Sequence, residues 1–131
     1  MSTLTEEDAA TAFAKAWNRL EPDDFLVLLA PDARYASQWV FEELVSATAI
    51  ADYLRAKMRT VKTNATYAPQ ARVRVEIGRT AYGQPCAFMT QGQRDAVQAA
   101  VVFEVKEGKV VRYDLCIPQL LGAVRTGVFP I

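Results

Sequence analysis

The sequence predicts one α+β domain, in which a curved antiparallel sheet carries three helices from the N-terminal half on its concave face. Helix signals lie in the first half of the chain, and strand-like segments separated by turn residues fill the second half. The length of 131 residues suits a single core and leaves no room for a second domain. We therefore expect residues 1–131 to fold as one unit.

The first two helices are predicted from their start signals. Thr5, followed three positions later by Asp8, resembles a capping box, so the first helix should run from about Thr5 to Arg19. Pro22 suits the first turn of a short second helix that ends near Pro31.

Two strands and a third helix should follow. Residues 33–39 alternate so that Tyr35, Ser37 and Trp39 share one side of a strand, and residues 41–45 form a second, short strand. The third helix begins after a serine cap, at Ser46, and ends before Asn64. Its buried side is marked by Ile50, Leu54, Met58 and Val61.

Four further strands complete the predicted sheet, over residues 71–79, 84–91, 96–106 and 109–118. Glu107 and Gly108 predict a tight hairpin between the last two. The first of the four alternates apolar residues with Arg72, Arg74 and Glu76, so one face should be buried and the other solvated.

The composition excludes several classes of function. Lys plus Arg and Asp plus Glu both number 15, so no net positive charge favours a nucleic-acid partner. The apolar runs are far shorter than the ~20 residues of a membrane span, and the N-terminus resembles no secretory signal, so we expect a cytoplasmic protein.

Neither a metal site nor a disulfide is predicted. The chain contains no histidine, and its two cysteines, Cys86 and Cys116, are not in Cys-x-x-Cys spacing. Their predicted strands are separated by a third strand, which puts the thiols too far apart to bridge. We expect two buried free thiols, no metal and no cofactor.

Four segments resemble the SnoaL-like, or nuclear transport factor 2-like, superfamily, whose cystatin-like fold is a cone-shaped α+β barrel. They are FAKAWN at 13–18, DDFLVLLAPDARY at 23–35, AIADYL at 49–54 and EGKVVRYD at 107–114. Members commonly carry glycine at the position of Ser46, where we expect a cap-compatible backbone to suffice. The resemblance implies a cone that holds small hydrophobic molecules or performs chemistry, and dimers formed through the outer sheet face.

Ketosteroid isomerase is the related enzyme nearest in pattern. It uses a carboxylate base with a tyrosine and a protonated aspartate as donors. Alignment puts Phe13 at the tyrosine, Ser37 at the base and about Val101 at the second acid. These catalytic groups are therefore expected to be absent, and whether the chain is an enzyme stays open.

An epoxide hydrolase-like pair would require Arg112 and Asp114, but both should face outward.

The candidate ligand pocket is mainly aromatic and apolar. Whether it is open or filled as a core stays undecided. Its predicted residues are Phe13, Trp17, Tyr35, Ser37, Trp39, Tyr53, Leu54, Val101, Phe103, Tyr113 and Leu115.

Three functions remain after these observations. The first is a protein that binds a small apolar or aromatic molecule. The second is an isomerase- or cyclase-type enzyme acting on a polyketide- or steroid-like substrate, in which Tyr35 and Ser37 polarise a carbonyl. The third is a non-catalytic dimerisation domain.

Three surface features are interpreted separately. A homodimer is expected on the outer sheet face, formed by Ala100, Val102, Glu104, Val110, Arg112, Asp114 and Cys116. An apolar C-terminal tail should pack over the cone mouth or on a partner chain, or else cover the outer sheet face of its own chain in place of a dimer. A solvated surface, or else an anion-binding patch, is formed by Arg55, Lys57, Arg59, Lys62, Arg72, Arg74 and Arg79.

Overall fold

The computed structural model describes residues 3–37, 40–68, 72–91, 97–116 and 123–131. It contains three helices, α1 (Glu6–Arg19), α2 (Asp23–Leu26) and α3 (Ala47–Tyr67). The strands are β1 (Leu29–Ser37), β2 (Val40–Val45), β3 (Val73–Arg79), β4 (Pro85–Gln91), β5 (Val97–Lys106), β6 (Lys109–Cys116) and β7 (Val124–Arg125).

The strands form one curved sheet in the order β2-β1-β6-β5-β4-β3-β7. The sheet is open, because β2 and β7 lie at opposite edges, so the cone is not a closed barrel. The pair β1–β6 is parallel, whereas every other pair is antiparallel. The predicted α+β fold with three helices and a curved, mainly antiparallel sheet is confirmed, and this one parallel pair is an addition to it. A parallel pair is accessible here because β2, α3 and three further strands lie between β1 and β6 along the chain.

Helix α1 packs across β3, β4 and β5, and helix α3 packs on β1. The predicted capping box is confirmed: Asp8 N donates to Thr5 Oγ1, and Thr5 N donates to the Asp8 carboxylate, each at 3.1 Å.

Helix α3 continues to Tyr67, beyond its predicted end, since no glycine or proline interrupts the chain before Pro69. No helix in the described ranges is both long and apolar enough to cross a membrane.

Ser46 caps α3 with a strained backbone. Its side-chain oxygen accepts from Ala49 N at 3.1 Å, as expected of a cap. Its φ of 101° lies, however, in the region that only glycine adopts without strain. The expectation that a cap-compatible backbone would suffice is wrong, because glycine, which the resemblance implies at this position, would adopt this φ without strain.

Helix α2 ends at Leu26, before its predicted end near Pro31, because the chain already enters the sheet. Leu29 pairs with Val110 of β6, and Val110 N donates to Leu28 O at 2.8 Å. The Glu107–Gly108 hairpin is confirmed, since both residues have the positive φ of a tight two-residue turn, 53° and 75°.

The burial of Glu76 is the main departure from the solvent exposure predicted for β3. Glu76 was expected on a solvated face but is only 1% exposed. Arg125 Nε donates to one carboxylate oxygen at 2.6 Å, and Gly127 N donates to the other at 2.8 Å. The alternation of β3 places Glu76 on the outer face, as predicted, but the C-terminal segment covers it.

The C-terminal segment 123–131 completes the edge of the sheet beside β3. Strand β7 pairs with the end of β3, and Ile77 N donates to Val128 O at 3.1 Å. The Asn18 amide donates to both Val75 O and Pro130 O, at 2.7 and 2.8 Å. This part of the tail therefore packs on its own chain beside β3, which agrees with the alternative of a tail that covers the chain's own sheet and not with a tail over the cone mouth.

The outer face of the sheet is smaller than predicted. Val110 is fully buried in the main core, because a register shift after Glu104 turns it inward. A second cluster, formed by Cys86, Phe88 and Ala100, lies under Ala123.

The two thiols are free, and β5 lies between their strands, so the predicted absence of a disulfide is confirmed. Cys86 is buried, whereas Cys116 is only partly buried. The expectation of two fully buried thiols is therefore wrong for Cys116.

Candidate functional site

A cavity of about 450 Å³ lies between α1, α3 and the sheet. Helix α1 contributes Phe13 and Trp17 to it. Helix α3 contributes Tyr53, Leu54, Lys57 and Val61. The strands contribute Tyr35, Ser37, Val73, Met89, Thr90, Gln91, Gln98, Ala99, Tyr113 and Leu115.

Eight of the eleven residues predicted for the pocket line this cavity: Phe13, Trp17, Tyr35, Ser37, Tyr53, Leu54, Tyr113 and Leu115. Val101 and Phe103 lie instead in the core, 0% and 3% exposed. Trp39 lies outside the described residues.

The narrow end of the cone is filled by aromatic rings, which explains the position of Phe103. Its ring contacts Phe13, Phe25 and Tyr113, with centroids 5.4 to 6.1 Å apart. Phe25, which sequence analysis did not assign to the site, is fully buried and also contacts Phe13 edge-on at 5.2 Å. These contacts make a rigid apolar base below the cavity.

Two hydrogen-bond donors in the cavity wall have no partner. The Trp17 indole N–H and the Tyr113 hydroxyl are buried, and neither forms a hydrogen bond with the described residues. Leaving a buried polar group unsatisfied costs about 1–3 kcal/mol, so such groups are uncommon in folded proteins. Both belong to residues that line the cavity.

The Tyr35 hydroxyl, in contrast, is already hydrogen-bonded to its neighbours. Burial raises its pKa most, followed by the repulsive effect of Tyr53. A hydrogen bond from Ser37 lowers the pKa, and a bond donated to Tyr53 raises it. Tyr35 and Ser37 were expected to polarise a carbonyl. They are instead hydrogen-bonded to each other, and Tyr35 also bonds to Tyr53.

The Tyr113 hydroxyl keeps its proton at physiological pH and can therefore donate a hydrogen bond. Burial raises its pKa well above the usual value, and the neighbouring Tyr35 and Tyr53 raise it further. The lining contributed by the described residues includes no carboxylate and no histidine. The arrangement can thus donate hydrogen bonds to an acceptor, but these side chains offer no conventional general base.

The SnoaL-like domain family model matches residues 10–113. The chain belongs to the SnoaL-like family. Curated proteins give no match. A protein of unknown function from Cytophaga hutchinsonii, described as NTF2-like, has a similar structure, with 7% identity and a TM-score of 0.59. The alignment covers 89% of this chain and 93% of that one.

Two further structures resemble this SnoaL-like protein. One, from Sinorhizobium meliloti, is provisionally named a polyketide cyclase (15% identity, TM-score 0.58, covering 82% of this chain and 93% of that one). The other is an LEH-like epoxide hydrolase from M. tuberculosis (20% identity, TM-score 0.54, covering 88% and 84%). At such identities the likeness shows the fold alone.

The ketosteroid isomerase positions carry no acid or base in this SnoaL-like protein. Phe13 is a buried ring, Ser37 bonds to Tyr35, and Val101 lies in the core. Arg112 donates to Asp114, at 2.8 to 3.2 Å, and also to Glu43. Neither Arg112 nor Asp114 lines the cavity, so the structure brings no epoxide hydrolase-like pair into it.

Sequence analysis missed eight lining residues: Lys57, Val61, Val73, Met89, Thr90, Gln91, Gln98 and Ala99. Spacing offered a signal for Lys57, which lies midway between Tyr53 and Val61, four positions from each. The end of β4 gave no such signal.

The basic residues interpreted as one surface are in fact divided. Arg55 pairs with Asp23 at 3.3 Å, and Arg79 pairs with Glu7 at 3.6 Å. The Arg74 guanidinium lies over the Phe129 ring, 4.3 Å from its centroid. Lys57 alone among these residues lines the cavity.

Proposed function

We propose that this SnoaL-like protein binds a small apolar or aromatic molecule that presents an acceptor oxygen to Trp17 and Tyr113. The observation that carries the proposal is the pair of buried donors without partners in the cavity wall. An oxygen from a ligand would satisfy them, and the apolar wall would bury the rest of the molecule.

The energetics favour this occupant. The volume of about 450 Å³ falls within the range of small-molecule sites, roughly 300–1,000 Å³. Each of the two buried donors costs about 1–3 kcal/mol when it is left unsatisfied. A carbonyl, ether or phenolate oxygen would remove that cost, whereas a pure hydrocarbon would leave it in place.

An enzymatic role of the isomerase or cyclase type is the second candidate. The polyketide cyclase-like and epoxide hydrolase-like names of two structural neighbours support it. The donors of such an enzyme would be Trp17 and Tyr113, because Tyr35 and Ser37 are engaged with each other. The substrate would then have to supply its own base or nucleophile, since the described lining offers no carboxylate or histidine to accept a proton.

The third candidate, a dimerisation domain with a packed cone, is less favoured because a cavity of this size remains.

A homodimer through the outer face and a cytoplasmic location stay predictions. Val102 and Cys116 are half-buried there and would suit a small apolar contact. Arg112 and Asp114 are already paired within the chain, so they have less to offer across a two-fold axis. Light scattering tests the dimer, which Val102→Asp should dissociate.

Two fluorescent probes of similar size test the ligand proposal. Prodan carries a ketone carbonyl on a naphthalene ring, whereas N-phenylnaphthylamine has no carbonyl acceptor. We expect both to bind the wild type, and Tyr113→Phe to weaken prodan alone, by about 2- to 12-fold, the equivalent of one net hydrogen bond. Thr60→Val, an exposed site on α3 that does not line the cavity, is the control. Equal effects of Tyr113→Phe on both probes would contradict the proposal.

A further inference from the structure

Lys57 occupies a distinct position in the cavity wall. Tyr53, Lys57 and Val61 lie four residues apart on α3, and all three line the cavity. Tyr53 and Val61 are half-buried, whereas Lys57 is exposed. A lysine in this position lays its aliphatic stem along the wall and keeps its ammonium group in water at the opening.

Lys57 is also the one charged residue in the described lining. The described part of the chain offers it no carboxylate within ion-pair distance, whereas Arg55, Arg79 and Arg112 each have one. The exposed polar residues that share the lining, Gln91 and Gln98, are neutral. Among the described lining residues, the opening therefore carries one positive charge and no negative one, above an apolar interior.

We propose that the ligand is an amphipathic anion. Its apolar or aromatic body would fill the cavity, its acceptor oxygen would meet Trp17 and Tyr113, and a carboxylate or similar acidic group at its outer end would pair with Lys57. This inference rests on the proposed function and narrows the ligand to organic acids. The described lining has no carboxylate that could pair with an amine, so the site disfavours a positively charged ligand.

The expected contribution of Lys57 is modest because the ammonium group is exposed. Exposed ion pairs give a small gain in affinity, equivalent to about 2- to 5-fold in binding, and salt weakens them. Lys57 would thus select between an acid and its uncharged analogue, while the buried body supplies most of the affinity.

A matched pair of probes isolates this contribution. Anilinonaphthalenesulfonate and N-phenylnaphthylamine share the same aromatic body, and only the first carries an acidic group. We expect Lys57→Gln to weaken the sulfonate about 2- to 5-fold and to leave the uncharged probe unchanged. Added salt should reduce sulfonate binding to the wild type more than to the variant. Lys62→Gln, an exposed lysine of α3 outside the lining, should change neither affinity.

The outcomes separate the two proposals. If both probes bind and prodan displaces them, but Lys57→Gln leaves the ratio of their affinities unchanged, the anion inference is wrong and the ligand site stands. If Lys62→Gln lowers sulfonate binding as much as Lys57→Gln does, the effect belongs to net charge, and the inference is again wrong. If neither prodan nor N-phenylnaphthylamine binds, the proposed function fails, and this inference fails with it.

Discussion

The contact between Glu76 and Arg125 allows a sharp stability prediction. The Glu76 side chain is 2% exposed and that of Arg125 is 30% exposed, so the two ends of one ion pair have unequal access to water. Removal of Arg125 strands a buried carboxylate whose remaining described donor is Gly127 N, at 2.8 Å. Removal of the Glu76 charge leaves the Arg125 guanidinium in a position that water can still reach.

The magnitudes follow from that asymmetry. Arg125→Met should destabilise the protein by about 3–5 kcal/mol, the range for an uncompensated buried charge. Glu76→Gln keeps the shape and one acceptor oxygen, and should cost about 1–3 kcal/mol. The double variant should cost less than the sum of the two, because both single variants remove the same ion pair.

Urea denaturation measures all three variants. With a typical slope of about 1–3 kcal/mol per molar urea, Arg125→Met should lower the midpoint by more than about 1 M. Arg59→Met, an exposed arginine of α3, is the control and should stay within about 0.5 kcal/mol of the wild type. A midpoint of Arg125→Met that matches this control, or a lower midpoint for Glu76→Gln than for Arg125→Met, would contradict the buried, unequal ion pair.

Three further outcomes are expected. Ser46→Gly should stabilise the protein by about 0.5–2 kcal/mol in thermal denaturation, because relief of the strain at φ 101° exceeds the small loss of the cap; a lower midpoint would contradict this. Tyr113→Phe should leave the ligand-free protein as stable or more stable, since it removes an unpartnered buried hydroxyl; a loss above about 1 kcal/mol would mean that the hydroxyl is bonded. Burial raises the pKa of both thiols, that of Cys86 to about 11, and Cys116 is the more exposed, so at about pH 8 iodoacetamide should label Cys116 first; preferential labelling of Cys86 would contradict its burial.

The predictable parts of the fold were those set by neighbours in sequence. The Thr5–Asp8 capping box and the Glu107–Gly108 hairpin depend on a few adjacent residues, and both occur where the sequence indicates. Alternation along β3 gave the correct face for Glu76. It could not show that residues 123–131, some fifty positions later, would return to cover that face.

The site was predictable where a periodic pattern continued and was missed where the pattern broke. The stripe of Phe13 and Trp17 reached the cavity as expected. The bulge after Glu104 reversed the direction of Val110, and no turn residue in the sequence signals that bulge. Lys57 was grouped with other basic residues because composition alone does not distinguish a wall residue from a solvated one.

The indole proton of Trp17 offers the most direct test of the proposed ligand contact. The chain contains two tryptophans, so a proton–nitrogen correlation spectrum should show two indole signals, and Trp17→Phe would identify the relevant one. Formation of a hydrogen bond moves such a proton downfield and slows its exchange with water. Saturating prodan should produce both changes at Trp17, whereas saturating N-phenylnaphthylamine should not produce the downfield shift. A Trp17 signal that saturating prodan neither moves downfield nor protects would contradict binding of an acceptor oxygen in this cavity.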